Sequence, residues 1–148
     1  MSTNVSVSET FPVVIDYEKS LQAMIRAGRY DWTNSDITEK HFPVASGPIE
    51  ISMELVHFDR AMTSEEVLAE LDRKGLRPAT LPELLAFGAK YPEKQREFPV
   101  VALASVWRNW VAGRRVPYLW SLADGRGLDL DWLDSGWDEH YRFAAVRK

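Results

Sequence analysis

The stretch VWRNWVAGRRVPYLWSLADGRGLDLDWLDSGWDEHYRFAAVRK, residues 106–148, decides the fold. Val116 to Trp120 reads as a strand, Asp124-Gly125-Arg126-Gly127 carries turn chemistry, and Leu128, Leu130 and Trp132 then alternate with Asp129 and Asp131. A period of two puts those three apolar side chains on one face and the two aspartates on the other. Ser135-Gly136 marks a further turn, and Arg142 to Arg147 reads as one more strand. Five of the six tryptophans fall between Trp107 and Trp137, separated by Asp, Arg and short polar residues. Rigid amphipathic rings among adaptable polar groups are the composition of a recognition surface. Any one ring taken singly is more simply read as core packing, since aromatics dominate cores as well as interfaces.

Outward from this stretch, Val100 to Trp107 is nearly continuous apolar, the pattern of a strand buried on both faces or of a short helix. Two capped helices come before it. Thr63 with Glu66 forms a capping box that opens a helix with Val67, Leu68 and Leu71 inward and Gly75 as its stop. Thr80 with Glu83, and Pro82 in the first turn, repeats the device for a helix carrying Leu84 and Leu85 that ends at Tyr91-Pro92. The PEKQRE segment after it reads as an ordinary loop. Ile49 to Phe58 alternates as a half-buried strand, with Ile49, Ile51, Met53 and Leu55 inward and His57 continuing that face.

Residues 1–48 read as a helical N-terminal extension ahead of a domain spanning 49–148. Its helix runs from about Asp16 to Gly28, with Tyr17, Leu21, Met24 and Ile25 on one face. The Ser-, Thr- and Val-rich residues 1–15 read as a tail that frays or lies along the domain. Residues 29–48, with Asn34, Asp36, Pro43, Gly47 and Pro48, favour turns over regular structure.

Composition narrows the function. With 148 residues, 45% hydrophobic and 27% charged, the chain fits one ordinary globular domain, and no apolar run approaches the roughly 20 residues of a membrane span. The N-terminal residues lack a secretory pattern, so the expected compartment is the cytoplasm unless another export route operates. There is no cysteine, which excludes disulfides, thiolate metal sites and cysteine nucleophiles. A net charge of −4 argues against a nucleic-acid partner, since Arg108, Arg114, Arg115 and Arg126 form the one basic cluster and acids interrupt it.

Catalytic chemistry has weak support. His41, His57 and His140 are the only histidines, and His57 or His140 beside a carboxylate is the sole opening for a small enzyme. No nucleophile motif or zinc spacing accompanies them. Asp129, Asp131, Asp134, Asp138 and Glu139 offer oxygen ligands for calcium, but their spacing is not that of an EF-hand loop, and a solvated acidic face explains them more simply. The expectation is therefore no cofactor, no metal and no catalytic residue.

LRPATLPELLAFGA at 76–89 resembles the motif leading into the second helix of the formylglycine-generating-enzyme branch of the C-type lectin fold, and YRFAAVRK at 141–148 resembles that branch's closing strand, with Arg142 and Arg147 as its basic positions. Within the branch, the sequence is similar to the variable proteins of diversity-generating retroelements. The resemblance implies an α+β, C-type-lectin-like fold of an early strand, two helices and an irregular antiparallel sheet. It also implies that a variable segment, 107–143, is rewritten at template adenines while a scaffold holds the altered side chains on one face. The formylglycine-generating reaction depends in that family on active-site cysteines, which this chain lacks.

The genetic code fits this division. Randomising the adenines of an AAC codon can yield Asn, Asp, His, Tyr, Ser or Gly, among others, but never Trp; Asn109, Asp129, Asp131, Asp134, Ser135, Asp138, His140 and Tyr141 fit that outcome, and Glu139 does not. Leu128, Leu130, Trp132, Trp137 and Phe143 look like scaffold. The expected function is noncatalytic binding of a protein or other macromolecule, with an undiversified or calcium-dependent lectin-like module as the alternative. The expected contact face comprises Arg108, Asn109, Trp110, Tyr118, Trp120, Ser121, Asp129, Asp131, Asp134, Ser135, Asp138, His140 and Tyr141. Trp110 and Trp120 are its expected exposed anchors, with Trp132 and Trp137 holding the loop from beneath.

Overall fold

The structure, a computed structural model, describes residues 9–109, 111 and 113–148. It is α+β and mostly sheet. The strands are β1 (Thr10–Val14), β2 (Trp32–Thr33), β3 (Glu50–His57), β4 (Leu76–Pro78), β5 (Val100–Val101), β6 (Trp107–Asn109), β7 (Gly113–Leu122), β8 (Gly125–Trp132) and β9 (Arg142–Arg147). The helices are α1 (Leu21–Ala27), α2 (Ser64–Arg73), α3 (Leu81–Lys90) and α4 (Lys94–Glu97). One sheet runs in the order β1-β3-β9-β5-β7-β8-β2, with β4 added to β9 and β6 to β7. Most pairs are antiparallel, but β5–β9 and β2–β8 are parallel, so the expected antiparallel sheet is in fact mixed.

Strand β9 lies in the middle of the sheet because it is apolar on both faces: Phe143, Ala144, Ala145 and Val146 are all buried. On one face Ala144 and Val146 join Val100, Leu119, Leu128 and Leu130 in a core with Leu21 and Met24 of α1 and Leu81, Leu84, Leu85 and Phe87 of α3. On the other, Phe143 and Ala145 join Val101 and Val116 beneath Val67 and Leu71 of α2, Met62, Leu133 and Trp137. This second core is the smaller and covers β9, β5 and the start of β7. It leaves the rest of the β7–β8 surface on that face without a helix over it.

Both expected capping boxes form. Thr63 and Thr80 each accept the backbone N–H three residues on, while Glu66 and Glu83 return the bond to the cap residue. Glu83 is buried, and Arg77 grips it bidentately at 2.8 and 2.9 Å. A carboxylate so placed needs that partner, because burying it unpaired is costly.

Several expectations change. Residues 10–14 are not a loose tail but edge strand β1, paired with β3, and Phe11, Val13 and Ile15 reach the core. Helix α1 starts only at Leu21, since the Ser20 side chain caps it by accepting from Ala23 N; Tyr17 lies in the turn before it. The turn-rich 29–48 segment contributes β2 and buries Ile37 and Phe42. Residues 10–48 thus share the core of 49–148.

Ile49 is exposed, one residue before β3 begins, and His57 is exposed at its far end, where the core no longer covers that face. The apolar run from Val100 to Trp107 breaks into β5 and β6, with turn residues between them where Ala104 N bonds back to Ala79 O and Ser105 Oγ accepts from Leu81 N at the start of α3. Its apolar side chains reflect burial rather than one continuous strand. The PEKQRE loop folds into α4, which buries Gln95.

Candidate binding face on β7 and β8

The β7–β8 hairpin sorts its side chains by register. Val116 pairs with Asp131, Tyr118 with Asp129 and Trp120 with Gly127, while the intervening Leu119–Leu128 and Pro117–Leu130 pairs point into the larger core. Directly opposed residues share a face, so Tyr118, Trp120, Asp129 and Asp131 stand together on the side of Val116, along and past the edge of the smaller core under α2. All four are half-exposed. The parallel pairing of β2 adds Trp32 beside Gly127 on the same face.

The aromatic end of this face is built around glycine. A Cβ placed on Gly127 would lie 2.5 Å from Trp120 Cε2 and 2.7 Å from its Nε1, so the indole rests directly on the glycine backbone. The Trp32 ring meets it at 6.1 Å and 55°, with Trp32 itself 47% exposed. From the core side, buried Gln95 donates from Nε2 to Trp120 O at 2.7 Å and to Gly127 O at 3.1 Å. Its Oε1 accepts from Arg126, whose guanidinium also donates to Gly28 O and Gly88 O. Those two carbonyls belong to the C-terminal ends of α1 and α3, where the helix dipole favours a cation. Arg126 is therefore a buried tie between helices and hairpin, packed over Tyr30 at 4.9 Å.

The polar end is a network of aspartates and tyrosines. Asn34 Nδ2 donates to Asp129 Oδ1 at 2.9 Å, and the Tyr141 hydroxyl donates to Asp131 Oδ2 at 3.0 Å. Tyr118 and Tyr141 rings lie 6.4 Å apart. Burial first, and the charges of Asp129 and Asp131 second, push the Tyr118 hydroxyl up to about 12. The Tyr141 hydroxyl is raised too, by burial and then by Asp131. Both groups remain neutral donors at physiological pH.

The other expected contact residues divide. Arg108 is exposed and Asn109 half-exposed on β6, opposite Arg114 and Gly113, beyond the Asp131 end of the face. Trp110 lies outside the described residues. Asp134, Ser135, Asp138 and His140 are exposed on the loop from β8 to β9; Arg114 pairs with Asp134, and His140 Nδ1 lies 3.1 Å from Asp138 Oδ1.

Ser121 leaves the set: it points to the opposite side from Trp120, and its hydroxyl donates to Gln95 O. Trp120 is a half-buried wall rather than a free anchor, because Gly127 lets its ring lie down on the sheet. Trp132 does not hold the loop from beneath; at the last residue of β8 it is 38% exposed, with the Arg115 guanidinium 4.9 Å from its ring. Trp137 does, being 1% exposed and donating from Nε1 to Ser64 Oγ at 2.7 Å. Trp32, Asn34 and Gln95 are the participants that the sequence did not point to, since each lies distant in sequence and in a segment read as connector or loop.

His57 and His41 make their contacts outside β7 and β8. His57 Nε2 bonds Glu139 O at 2.7 Å, and His41 stacks on Trp107 at 3.9 Å with Nδ1 against Asp36 O. Among the described residues, no Ser or Thr hydroxyl bonds to an imidazole, and no three His, Asp or Glu side chains converge as a metal site would require. No helix among those residues is long and apolar enough to cross a membrane. Neither a family, nor a curated protein, nor a solved structure matches the chain.

Proposed function

We propose that this chain is a noncatalytic binding protein that presents the open β7–β8 face, with Trp32 and Tyr141 at its margins, to a macromolecular partner. The observation carrying the proposal is the register of the hairpin, which sends Leu119, Leu128 and Leu130 into the core and leaves Tyr118, Trp120, Asp129 and Asp131 half-exposed on the other side. A half-exposed aromatic cluster ringed by polar groups is what binding hot spots are made of.

In its fuller form the proposal places the chain on a C-type-lectin-like scaffold whose segment 107–143 is diversified by a retroelement. Two features support this. Strand β3 pairs antiparallel with β9 while α2 and α3 lie on opposite faces of the sheet. Asn109, Asp129, Asp131, Asp134, Ser135, Asp138, His140 and Tyr141 are all exposed or half-exposed, whereas Leu128, Leu130, Trp137 and Phe143 are buried. Exchange at surface positions of this kind changes stability by only about 0.5 kcal/mol.

The diversification is tested in the flanking DNA. A near-copy of the segment encoding 107–143, differing mainly at adenines and accompanied by a reverse transcriptase gene, is the expected finding. Its absence leaves an undiversified binding module. Binding itself is tested by panning a displayed peptide library against the full chain and against Tyr118→Ala. Binders that all tolerate the substitution would remove the face from the proposal.

A further inference from the structure

The aromatic end of the face opens into a cleft of about 530 Å³ lined by Asp31, Trp32, Trp120, Leu122, Asp124 and Gly125. Its walls are the two indoles and the exposed Leu122, and its rim carries two carboxylates. The one basic residue of the lining, Arg126, turns its guanidinium away into the bonds with Gly28 O, Gly88 O and Gln95. Asp31, Asp124, Asp129 and Asp131 form no ion pair among the described residues. The hydrogen bonds that Asp31, Asp129 and Asp131 accept come from neutral groups: Arg126 N, Asn34 Nδ2, Leu130 N, Trp132 N and the Tyr141 hydroxyl. The cleft and the track beside it are thus aromatic and anionic together, and none of these four carboxylates is held by a cationic side chain among the described residues.

Building on the binding reading above, we propose that this cleft receives the cationic side chain of an extended basic segment in a protein partner. The indole faces attract a Lys or Arg head group through their quadrupoles, and Asp31 and Asp124 supply the counter-charge. Gly127, Asp129 and Asp131 follow one another at every second residue of β8, about 6.8 Å apart along the strand. An extended peptide laid along β8 repeats at the same spacing, so a cation in the cleft brings the next two alternate side chains over Asp129 and Asp131. Arg108 and Arg114, past Asp131, mark where the anionic track ends. Because the Trp120 wall rests on Gly127 and is held from behind by Gln95, and β2 pairing sets Trp32 beside it, the cleft is formed before the partner arrives.

The test uses the full chain and a synthetic peptide alternating Thr and Lys, with a Thr–Glu peptide as control, in isothermal titration at low and high salt. The Lys peptide is expected to bind, the Glu peptide not to bind, and raising salt to about 0.5 M to weaken the complex strongly. Trp32→Ala, a change at an exposed ring, is expected to weaken binding about three- to fivefold. Asp124→Lys on the exposed hairpin turn, checked by circular dichroism for an unchanged fold, is expected to weaken it at least as much.

The proposal is overturned if the Lys peptide does not bind, binds no better than the Glu peptide, or binds both variants as tightly as the parent. It is also overturned if sedimentation shows a dimer that Trp32→Ala dissolves, since the occupant would then be a second copy. Panning separates this failure from failure of the binding reading. Library peptides without basic residues that nevertheless need Tyr118 would sink the cationic assignment alone, and the lack of any binder dependent on the face would sink both.

Discussion

Replacing Gly127 by Ala puts the packing of the aromatic wall under direct test. The residue does not have a positive φ, so alanine is free to adopt its backbone conformation. On backbone grounds alone the change should stabilise the protein by roughly 0.4–1 kcal/mol through loss of unfolded-state freedom. The structure predicts the opposite sign. The added methyl would sit 2.5–2.7 Å from three atoms of the Trp120 indole, well inside contact distance. A rigid ring flanked by Trp32 and with its Nε1 buried cannot move aside without breaking the wall. Overpacking of this kind costs about 1–3 kcal/mol, leaving a net loss of roughly 0.5–2 kcal/mol after the backbone gain.

The decisive measurement is a double-mutant cycle by urea unfolding, read by far-ultraviolet circular dichroism. In the Trp120→Ala background the clash is gone, so Gly127→Ala should become neutral or stabilising. The two changes should then be coupled by about 1–3 kcal/mol. Additive effects, or stabilisation by Gly127→Ala in the parent chain, would refute the arrangement of Trp120 on Gly127 and with it the preformed cleft.

Three further outcomes follow from the same geometry. Arg126→Ala should lower stability by at least about 2 kcal/mol in chemical denaturation, because Gly28 O, Gly88 O and Gln95 Oε1 lose charged donors in the interior. Arg126→Lys should recover only part of that, since a single ammonium cannot reproduce the planar fork. Thr80→Ala should cost about 1 kcal/mol by removing the cap on Glu83 N, measured as a shifted denaturation midpoint with unchanged slope. Tyr118 has its folded value raised from 10.0 to about 12, so its contribution to stability is complete below pH 10 and is lost as pH rises from 10 towards 12. Alkaline titration of phenolate absorbance should accordingly lose a late-rising component in Tyr118→Phe, and Asp129→Asn should bring that component to lower pH.

The parts of the fold legible in the sequence are those governed by neighbours along the chain. Thr63 with Glu66 and Thr80 with Glu83 announce their helices because a capping box closes within four residues. Leu128 and Leu130 announce their burial, and Asp129 and Asp131 their exposure, because period two is a local property of a strand. Trp132 breaks the same pattern because alternation says which face a residue takes and not how far the core extends beneath it. Phe11 and Val13 were hidden in a Ser- and Thr-rich segment, since their burial comes from pairing with a strand some 40 residues later.

The proposed binding face shows the same split. Tyr118, Trp120, Asp129, Asp131 and Tyr141 could be named in advance, whereas Trp32 and Asn34 reach the face only through the parallel pairing of β2 with β8. Ser121, grouped with them by proximity in sequence, lies on the wrong side of its strand.

By itself, the sequence determined which residues favour helix or strand, which side of β8 is apolar, and that neither disulfide nor thiolate chemistry operates here. Tertiary structure alone decided that β9 lies in the middle of the sheet, that the core under α2 covers only the start of β7, and that Trp32 meets Trp120 beside carboxylates with no ion pair among the described residues. The physical reason is range: capping and alternation act over a few residues, while the cleft is made by segments brought together from 95 residues apart in the chain.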